Sequence, residues 1–171
     1  VKVIQERRQG MIFARNRGFN SAKYKTIART DADVILPKDW IKKIKQNFSA
    51  NNIDALGGSL SVYDLPFNFK FFWRVFVFVV GGILKGNILI GPNMVITKNA
   101  WEKIKNKVCL NETGVHEDID LTIHIQKNGG VISYDKTLMV GFSGRRIKNN
   151  PFSFFIEYQS RLIKTLYSHS K

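Results

Sequence analysis

Cysteine, acidic residues and long apolar runs are all scarce in this chain, and each scarcity narrows what the protein can be. A single cysteine, Cys109, excludes an internal disulfide and fits a reducing compartment. Thirteen acidic residues stand against 27 lysines and arginines, which gives a formal net charge of +14. Such an excess of positive charge favours anionic partners: nucleotides, phospholipids or nucleic acid.

The most apolar stretch lies between Pro66 and Leu84, and Lys70 and Arg74 interrupt it. Its uncharged part, residues 75–84, is far shorter than the roughly 18 residues that a membrane-spanning helix needs. Two interpretations remain open. The stretch is either a buried core segment or a helix that lies at a membrane surface, which its aromatic residues and flanking cations would suit.

The length and composition are those of one folded domain. The 171 residues are 44% hydrophobic and 23% charged, and we find no internal repeat or low-complexity linker. We therefore interpret residues 1–171 as a single domain that ends in an amphipathic helix at about 151–167. The opening residues, Val1 to Glu6, have the composition of a strand.

Two carboxylates one residue apart, Asp31 and Asp33, follow a predicted strand at residues 24–30. Because side chains alternate along an extended chain, both carboxylates are expected to point the same way. At the carboxyl end of a strand in an open α/β sheet, such oxygen ligands suit a divalent cation and a phosphorylated ligand. The alternative is an ordinary turn before the next helix, where Asp is favoured anyway.

Three more acids, Glu117, Asp118 and Asp120, open a predicted helix at residues 116–128. Carboxylates in the first turn can simply cap the helix and complement its dipole, worth about 0.3–1 kcal/mol each. The adjacent Arg145 and Arg146 can likewise be a solvated pair or an anion clamp. Each motif alone leaves both interpretations open, so their order and spacing carry the argument.

In chain order the sequence contains Ala14-Arg15-Asn16-x-Gly18, Asp31-x-Asp33, Gly91-x-Asn93, Glu117-Asp118-x-Asp120-Leu121 and Ser143-Gly144-Arg145-Arg146. This ordered set resembles the family-2 glycosyltransferases with the GT-A fold, over essentially the whole chain. The fold that the resemblance implies is α/β, with a GT-A-like, Rossmann-related mixed sheet flanked by helices.

The resemblance implies a site for a nucleotide-sugar donor. The residues that it places around the donor are Arg15, Asn16, Asp31, Asp33, Arg145 and Arg146. Asp31 and Asp33 match the metal motif, with Asp33 favoured as the direct ligand of Mg²⁺ or Mn²⁺. The first two residues would lie beside the nucleotide, and the arginine pair would lie on a loop over the departing diphosphate.

On the acceptor side, Asp118 resembles the general base that deprotonates the acceptor hydroxyl, with Glu117 beside it. Gly91 and Asn93 would line the side of a sugar or lipid-linked acceptor. The chemistry of an inverting transfer agrees with these residue types. Cations stabilise the departing diphosphate, and one carboxylate on the opposite face of the sugar takes the proton.

Two departures from the family pattern stand out. His124 occupies a position where the family often has Arg. The turns that hold the nucleotide base and ribose are not present, so we expect an N-terminally incomplete domain that is inactive on its own. The expected location is cytoplasmic, peripheral at the inner face of the cell membrane on anionic lipid, in the synthesis of cell-envelope polysaccharide.

A second hypothesis is a non-catalytic basic module that binds nucleic acid or a membrane surface. The net charge and the aromatic residues near cations are typical of single-strand binding platforms. However, many of the aromatic residues fall in apolar stretches, where the core would cover their stacking surfaces. We therefore expect no nucleic-acid partner.

Overall fold

The computed structural model describes residues 2–64, 69–111, 114–150 and 156–170, and it has a mixed α/β fold. Its helices are α1 (Met11–Ser21), α2 (Trp40–Ala50), α3 (Phe69–Ile83), α4 (Lys98–Ile104), α5 (Glu117–Lys127), α6 (Arg145–Asn149) and α7 (Tyr158–His169). Its strands are β1 (Thr26–Arg29), β2 (Ala55–Val62), β3 (Met94–Thr97) and β4 (Ile132–Phe142). The predicted mixed sheet flanked by helices is confirmed.

The four strands form one open sheet in the order β1-β3-β2-β4. Strand β3 pairs antiparallel with both of its neighbours, whereas β2 and β4 run parallel. A parallel pair needs a long crossover, and here the chain between β2 and β4 contains helices α3, α4 and α5. The crossover carries helix α5, and therefore the predicted base, back to the sheet.

Apolar side chains cover both faces of the sheet, as alternation along the strands requires. On β2, Ala55 belongs to one buried cluster and Leu56 to the other. The first cluster contains Phe19 of α1 and Trp101 of α4, and the second contains residues of α2 and α3. Two helical layers therefore enclose the sheet.

Helix α5 contributes to both clusters. Leu121 and Ile125 pack in the first, and Ile119 and Ile123 pack in the second. Seven of its eleven residues are buried. A helix buried on opposite sides cannot rotate without opening the core, so the acids at its N-terminus have a fixed orientation.

The Gly57-Gly58 pair marks both a close approach of neighbouring backbone and a bulge. A Cβ on Gly58 would lie 2.5 Å from the Leu138 carbonyl oxygen and would also overlap the Asn93 side chain. The register between β2 and β4 shifts between Gly58 and Ser59. Glycine is needed here because neighbouring backbone occupies the space of a side chain.

Two local expectations are wrong. Residues 2–9 contain no regular secondary structure, so the described part of the opening segment is not a strand. The arginines at 145 and 146 do not lie in a loop, because they begin helix α6.

Within the described residues the apolar stretch forms helix α3, and this helix is only partly buried in the core. One side packs on the core through Val80, Trp73, Phe76 and Val77. The opposite side exposes Phe71, Phe72, Val75, Phe78, Val79 and Ile83. Among the described residues, no helix is both long and apolar enough to cross a membrane.

The predicted C-terminal helix corresponds to α7, which continues to His169, two residues past the expected end. Residues 151–155 of that prediction lie outside the described part of the chain. Leu162 and Thr165 of α7 are buried, and α7 packs against α5.

Candidate active site

Asp118 lies in the first turn of α5, beside the turn that precedes β3. The Gly91 N–H donates to its Oδ2 atom at 2.9 Å, and the Ile119 N–H donates to its Oδ1 atom at the same distance. Nδ1 of His116 also contacts Oδ1. Only 13% of the Asp118 side chain is exposed. The carboxylate is therefore fixed by three neighbours at the edge of solvent.

The charge state of Asp118 depends on His116. Burial raises the pKa of Asp118, but the His116 cation, its hydrogen bond and the Gly91 N–H outweigh burial and lower the pKa to about 2. Burial also lowers the pKa of His116, and the charge of Asp118 outweighs it and raises that pKa. The pair is thus an ion pair in which Asp118 is ionised and weakly basic while His116 is protonated.

Glu117 is the centre of a buried ionic triad. Arg15 donates to its Oε2 atom at 2.5 Å and to its backbone carbonyl at 2.9 Å. Arg29 donates to Oε1, also at 2.5 Å. The Glu117 side chain is only 7% exposed, so water contributes little screening. Both carboxylate oxygens are occupied by arginines, and Glu117 is a structural group in this geometry.

The position of Arg15 differs from the prediction. Its side chain is buried, and its guanidinium is directed at Glu117 and at the Oδ1 atom of Asn16. A buried guanidinium that serves these partners cannot face a nucleotide. Arg15 instead joins α1 to α5 underneath the site, and Asn16 accepts its remaining hydrogen bonds.

Arg29 connects the two acidic motifs, although the sequence analysis did not single it out. It lies at the end of β1, and its guanidinium contacts Glu117 and, at 3.4 Å, the Oδ1 atom of Asp31. Burial lowers the pKa of Arg29, but Glu117 outweighs burial and raises it. A signal was available, because Arg29 and Asp31 are two positions apart and extended residues at that spacing share a side.

The Asp31-x-Asp33 segment is a turn. The Val34 N–H donates to the Asp31 carbonyl at 3.3 Å, so the extended geometry expected for this segment is wrong. Both carboxylates are nevertheless accessible. Asp31 faces Arg29, and Asp33 lies 3.8 Å from the Nη2 atom of Arg145. Accessible carboxylate oxygens suit Mg²⁺ or Mn²⁺, so this donor set fits the metal that the resemblance implies.

Arg145 reaches the metal motif because Asp64 anchors the segment before it. Asp64 accepts hydrogen bonds from the Gly144 N–H at 2.6 Å and from the Ser143 hydroxyl at 3.0 Å, and Lys148 lies 3.7 Å away. These contacts, with burial opposing them, lower the pKa of Asp64. The Arg146 side chain lies outside the described residues.

Of the two predicted acceptor-side residues, only Gly91 reaches the site. A Cβ on Gly91 would lie 3.3 Å from Glu117 Oε1 and 3.6 Å from Asp118 Oδ2. Asn93 is fully buried and points into the protein. It accepts from Trp40 Nε1 at 3.0 Å and donates to the carbonyls of Ser59 and Leu138. Asn93 fixes the turn from behind and offers no atom to an acceptor.

The comparison with protein families agrees with the geometry. Residues 1–108 match the family model described as glycosyl transferase family 2. The matched region contains the Asp31 turn, Arg29 and Gly91, whereas Asp118 and Arg145 lie beyond it. A search of curated proteins found no match.

The triad predicts that neutralising Glu117 strongly lowers the free energy of unfolding. In Glu117→Gln, two buried guanidiniums lose their carboxylate, and breaking a buried pair is typically destabilising by about 3–5 kcal/mol. Glu102→Gln is the matched control, because Glu102 pairs with Lys98 and Lys105 while 42% exposed, and such pairs contribute at most about 1 kcal/mol. Urea unfolding of both variants measures the difference. Equal losses would contradict the structural role of Glu117.

Proposed function

This chain belongs to glycosyltransferase family 2, and from that premise we propose that it moves a sugar from a nucleotide-sugar donor to an acceptor hydroxyl with inversion. The observation that carries the proposal is the contact of Arg29 with both acidic motifs. Arg29 binds Glu117, beside the proposed base, and Asp31 of the proposed donor site. Glu117 and Asp31 are 86 positions apart in the chain, and in this proposal they belong to one site.

Asp118 is the proton acceptor in this mechanism. The acceptor hydroxyl gives its proton to Asp118, and its oxygen bonds to the anomeric carbon. The bond from that carbon to the diphosphate oxygen breaks, and the electron pair leaves with the diphosphate. Gly91 fixes the Asp118 carboxylate, since its N–H donates to Oδ2. General-base assistance of this kind typically contributes about 10²–10⁴-fold.

Arg145 and the Asp31-x-Asp33 turn bind the leaving group. Arg145 is exposed and only 3.8 Å from Asp33, so its guanidinium can bind a diphosphate that enters between them. Family 2 often uses a divalent metal, and Asp33 with Asp31 would hold Mg²⁺ or Mn²⁺ here. When bound, such an ion neutralises charge that develops on the diphosphate.

The substitution Asp118→Asn tests the mechanism. Asn has the shape of Asp and keeps an oxygen for the Gly91 N–H, so the fold should persist while the proton acceptor is lost. We expect the transfer rate of the full-length enzyme to fall by about 10²-fold or more. Asp39→Asn, at the N-cap of α2, is the matched control and should retain the wild-type rate. An Asp118→Asn rate within about threefold of wild type would remove Asp118 from the mechanism.

The pH profile of kcat/KM also tests Asp118 as the proton acceptor. Asp118 and Glu117 face His116 and raise its pKa, whereas burial and Arg161 lower it, and the net shift is upward. Protonated His116 weakens Asp118 as a base. The rate should therefore rise as pH increases through the folded-state pKa of His116, above its ordinary 6.5. A rate that falls across that window would contradict the coupling.

Asp33→Ala should abolish the metal-dependent binding of a nucleoside diphosphate, and Asp31→Ala should weaken it less. Asp33 is the more exposed carboxylate, whereas Asp31 is already paired with Arg29. Calorimetry with Mn²⁺ and a nucleoside diphosphate on the full-length protein measures both effects. Unchanged affinity in Asp33→Ala would mean that Asp31 and Asp33 only occupy an ordinary turn and bind no metal. Stabilisation by an oligonucleotide, with none by the diphosphate, would favour the nucleic-acid hypothesis instead.

The acceptor is proposed to be lipid-linked, with the protein on the anionic inner face of the cell membrane. The exposed side of α3 supports this location. Its aromatic and aliphatic side chains repeat every three to four residues, and Phe78 is 81% exposed. Arg74 and Lys85 are exposed next to this surface, and the chain carries a net charge of +14. An apolar helix face beside cations suits the boundary between headgroups and acyl chains.

Phe78→Glu should reduce binding to anionic vesicles. The substitution replaces an apolar side chain that would enter the bilayer boundary with a charge that opposes anionic lipid. Tyr24→Glu adds the same charge at a residue that is 83% exposed but remote from α3, so it controls for net charge. Cosedimentation with vesicles of phosphatidylglycerol and phosphatidylcholine measures bound fractions. Equal loss in both variants would show that α3 has no special part in binding.

A further inference from the structure

Four side chains that can bind metal converge behind the proposed active site. They are Cys109, which follows α4, Asp120 and His124 on α5, and His169 at the end of α7. One ligand atom from each lies within 4.8 Å of every other. None of the four belongs to the Asp31-x-Asp33 turn, so the cluster is separate from the proposed donor metal.

Three of the separations between these ligand atoms are close to the edges of a small tetrahedron. The two histidine Nε2 atoms are 3.3 Å apart, and Asp120 Oδ1 lies 3.3 Å and 3.1 Å from them. Cys109 Sγ is 3.9 Å from His169 Nε2. Bond lengths of about 2.0–2.1 Å to nitrogen and 2.3 Å to sulfur give tetrahedral edges of about 3.3–3.6 Å around zinc. Three observed edges lie within a few tenths of an ångström of that range without any metal.

Hydrogen bonding does not explain the arrangement. His169 Nδ1 is 2.9 Å from the Thr165 carbonyl, which can only accept, so the hydrogen of a neutral ring is on Nδ1. Nε2 then carries a lone pair, and it lies 3.1 Å from Asp120 Oδ1, another acceptor. Asp120 is 1% exposed, and within the described part of the chain its Oδ1 has no partner of acceptable hydrogen-bond geometry. A cation between these atoms would satisfy both.

The setting of His169 also suits a bound cation. The Thr165 carbonyl at His169 Nδ1 is the partner that commonly orients a metal-binding imidazole.

We propose that Cys109, Asp120, His124 and His169 form a structural Zn²⁺ site that fastens α7 to α5. One thiolate, two imidazoles and one carboxylate suit tetrahedral zinc. Four protein ligands leave no open position for catalysis. His124, which departs from the family pattern, supplies one of the ligands.

The zinc site would position the base indirectly. Thr165 of α7 accepts a hydrogen bond from the His116 N–H at 2.7 Å, and Tyr158 of α7 packs edge-on against the His116 ring, with centroids 5.3 Å apart. His116 in turn contacts Asp118. By fixing α7, the metal would fix the side chain that sets the basicity of Asp118. The residues of the cluster are therefore positioning residues.

Metal analysis of the full-length, untagged protein tests the site. After saturation with zinc and gel filtration, wild type should retain about one zinc per chain, as a closed four-ligand site requires. Cys109→Ser and His169→Gln should each retain less than about a tenth of that, because three ligands rarely hold structural zinc. One control should keep the full amount: Asp33→Ala, at the proposed donor metal.

Two further readouts keep the test independent of folding and activity. Cobalt in place of zinc should give a thiolate charge-transfer band in wild type that is absent in Cys109→Ser. Zinc at a hundredfold excess over its Kd should raise the Tm of wild type by about 5–11 °C and leave His169→Gln unchanged. Wild type that retains no zinc, or variants that retain as much as wild type, would overturn the proposal. Loss of zinc in Asp33→Ala would equally overturn it, by showing that the retained metal belongs to the proposed donor site.

Discussion

The buried carboxylate of Glu117, held between two guanidiniums, is the constraint on which the site depends. It ties α1 through Arg15 and β1 through Arg29 to the first turn of α5. A charge buried to this degree is stable only when its partners stay in place, so the triad demands one relative position of three elements. The accessible groups, Asp118 and the Asp31-x-Asp33 turn, are arranged around that position.

The scarcity of acids gives this arrangement its electrostatic meaning. The chain has only 13 acidic residues against 27 lysines and arginines, so a cluster of carboxylates is an unusual feature of it. Each carboxylate of the site has a cation close by, and the cation decides its role. His116 keeps Asp118 ionised. Arg29 is shared between Asp31 and Glu117, and Arg145 faces Asp33. In the proposed mechanism, an anionic donor would meet arginines that partly neutralise the carboxylates it must approach.

Helix α5 presents different chemistry on its two sides. Residues two apart on a helix are separated by about 200°, so Asp118 and Asp120 face nearly opposite directions. Asp118 faces the Gly91 turn, whereas Asp120 joins Cys109, His124 and His169 behind the helix. Because α5 is packed on both sides by the core, neither carboxylate can exchange places with the other. A rigid helix thus links a proposed reaction centre to a proposed structural metal.

The sequence by itself determined the family, the mixed α/β architecture and the approximate positions of α5 and α7, because periodicity and helix-start acids act locally. Only the tertiary structure decided what Arg15, Asn93 and Glu117 do. Each is polar and, from sequence, equally suited to a ligand or to a buried partner 30 to 100 positions away. The same holds for Cys109 and His169, 60 positions apart, whose approach depends on how α7 packs against α5. Long-range packing supplies the partner of a polar side chain, and no local pattern contains that information.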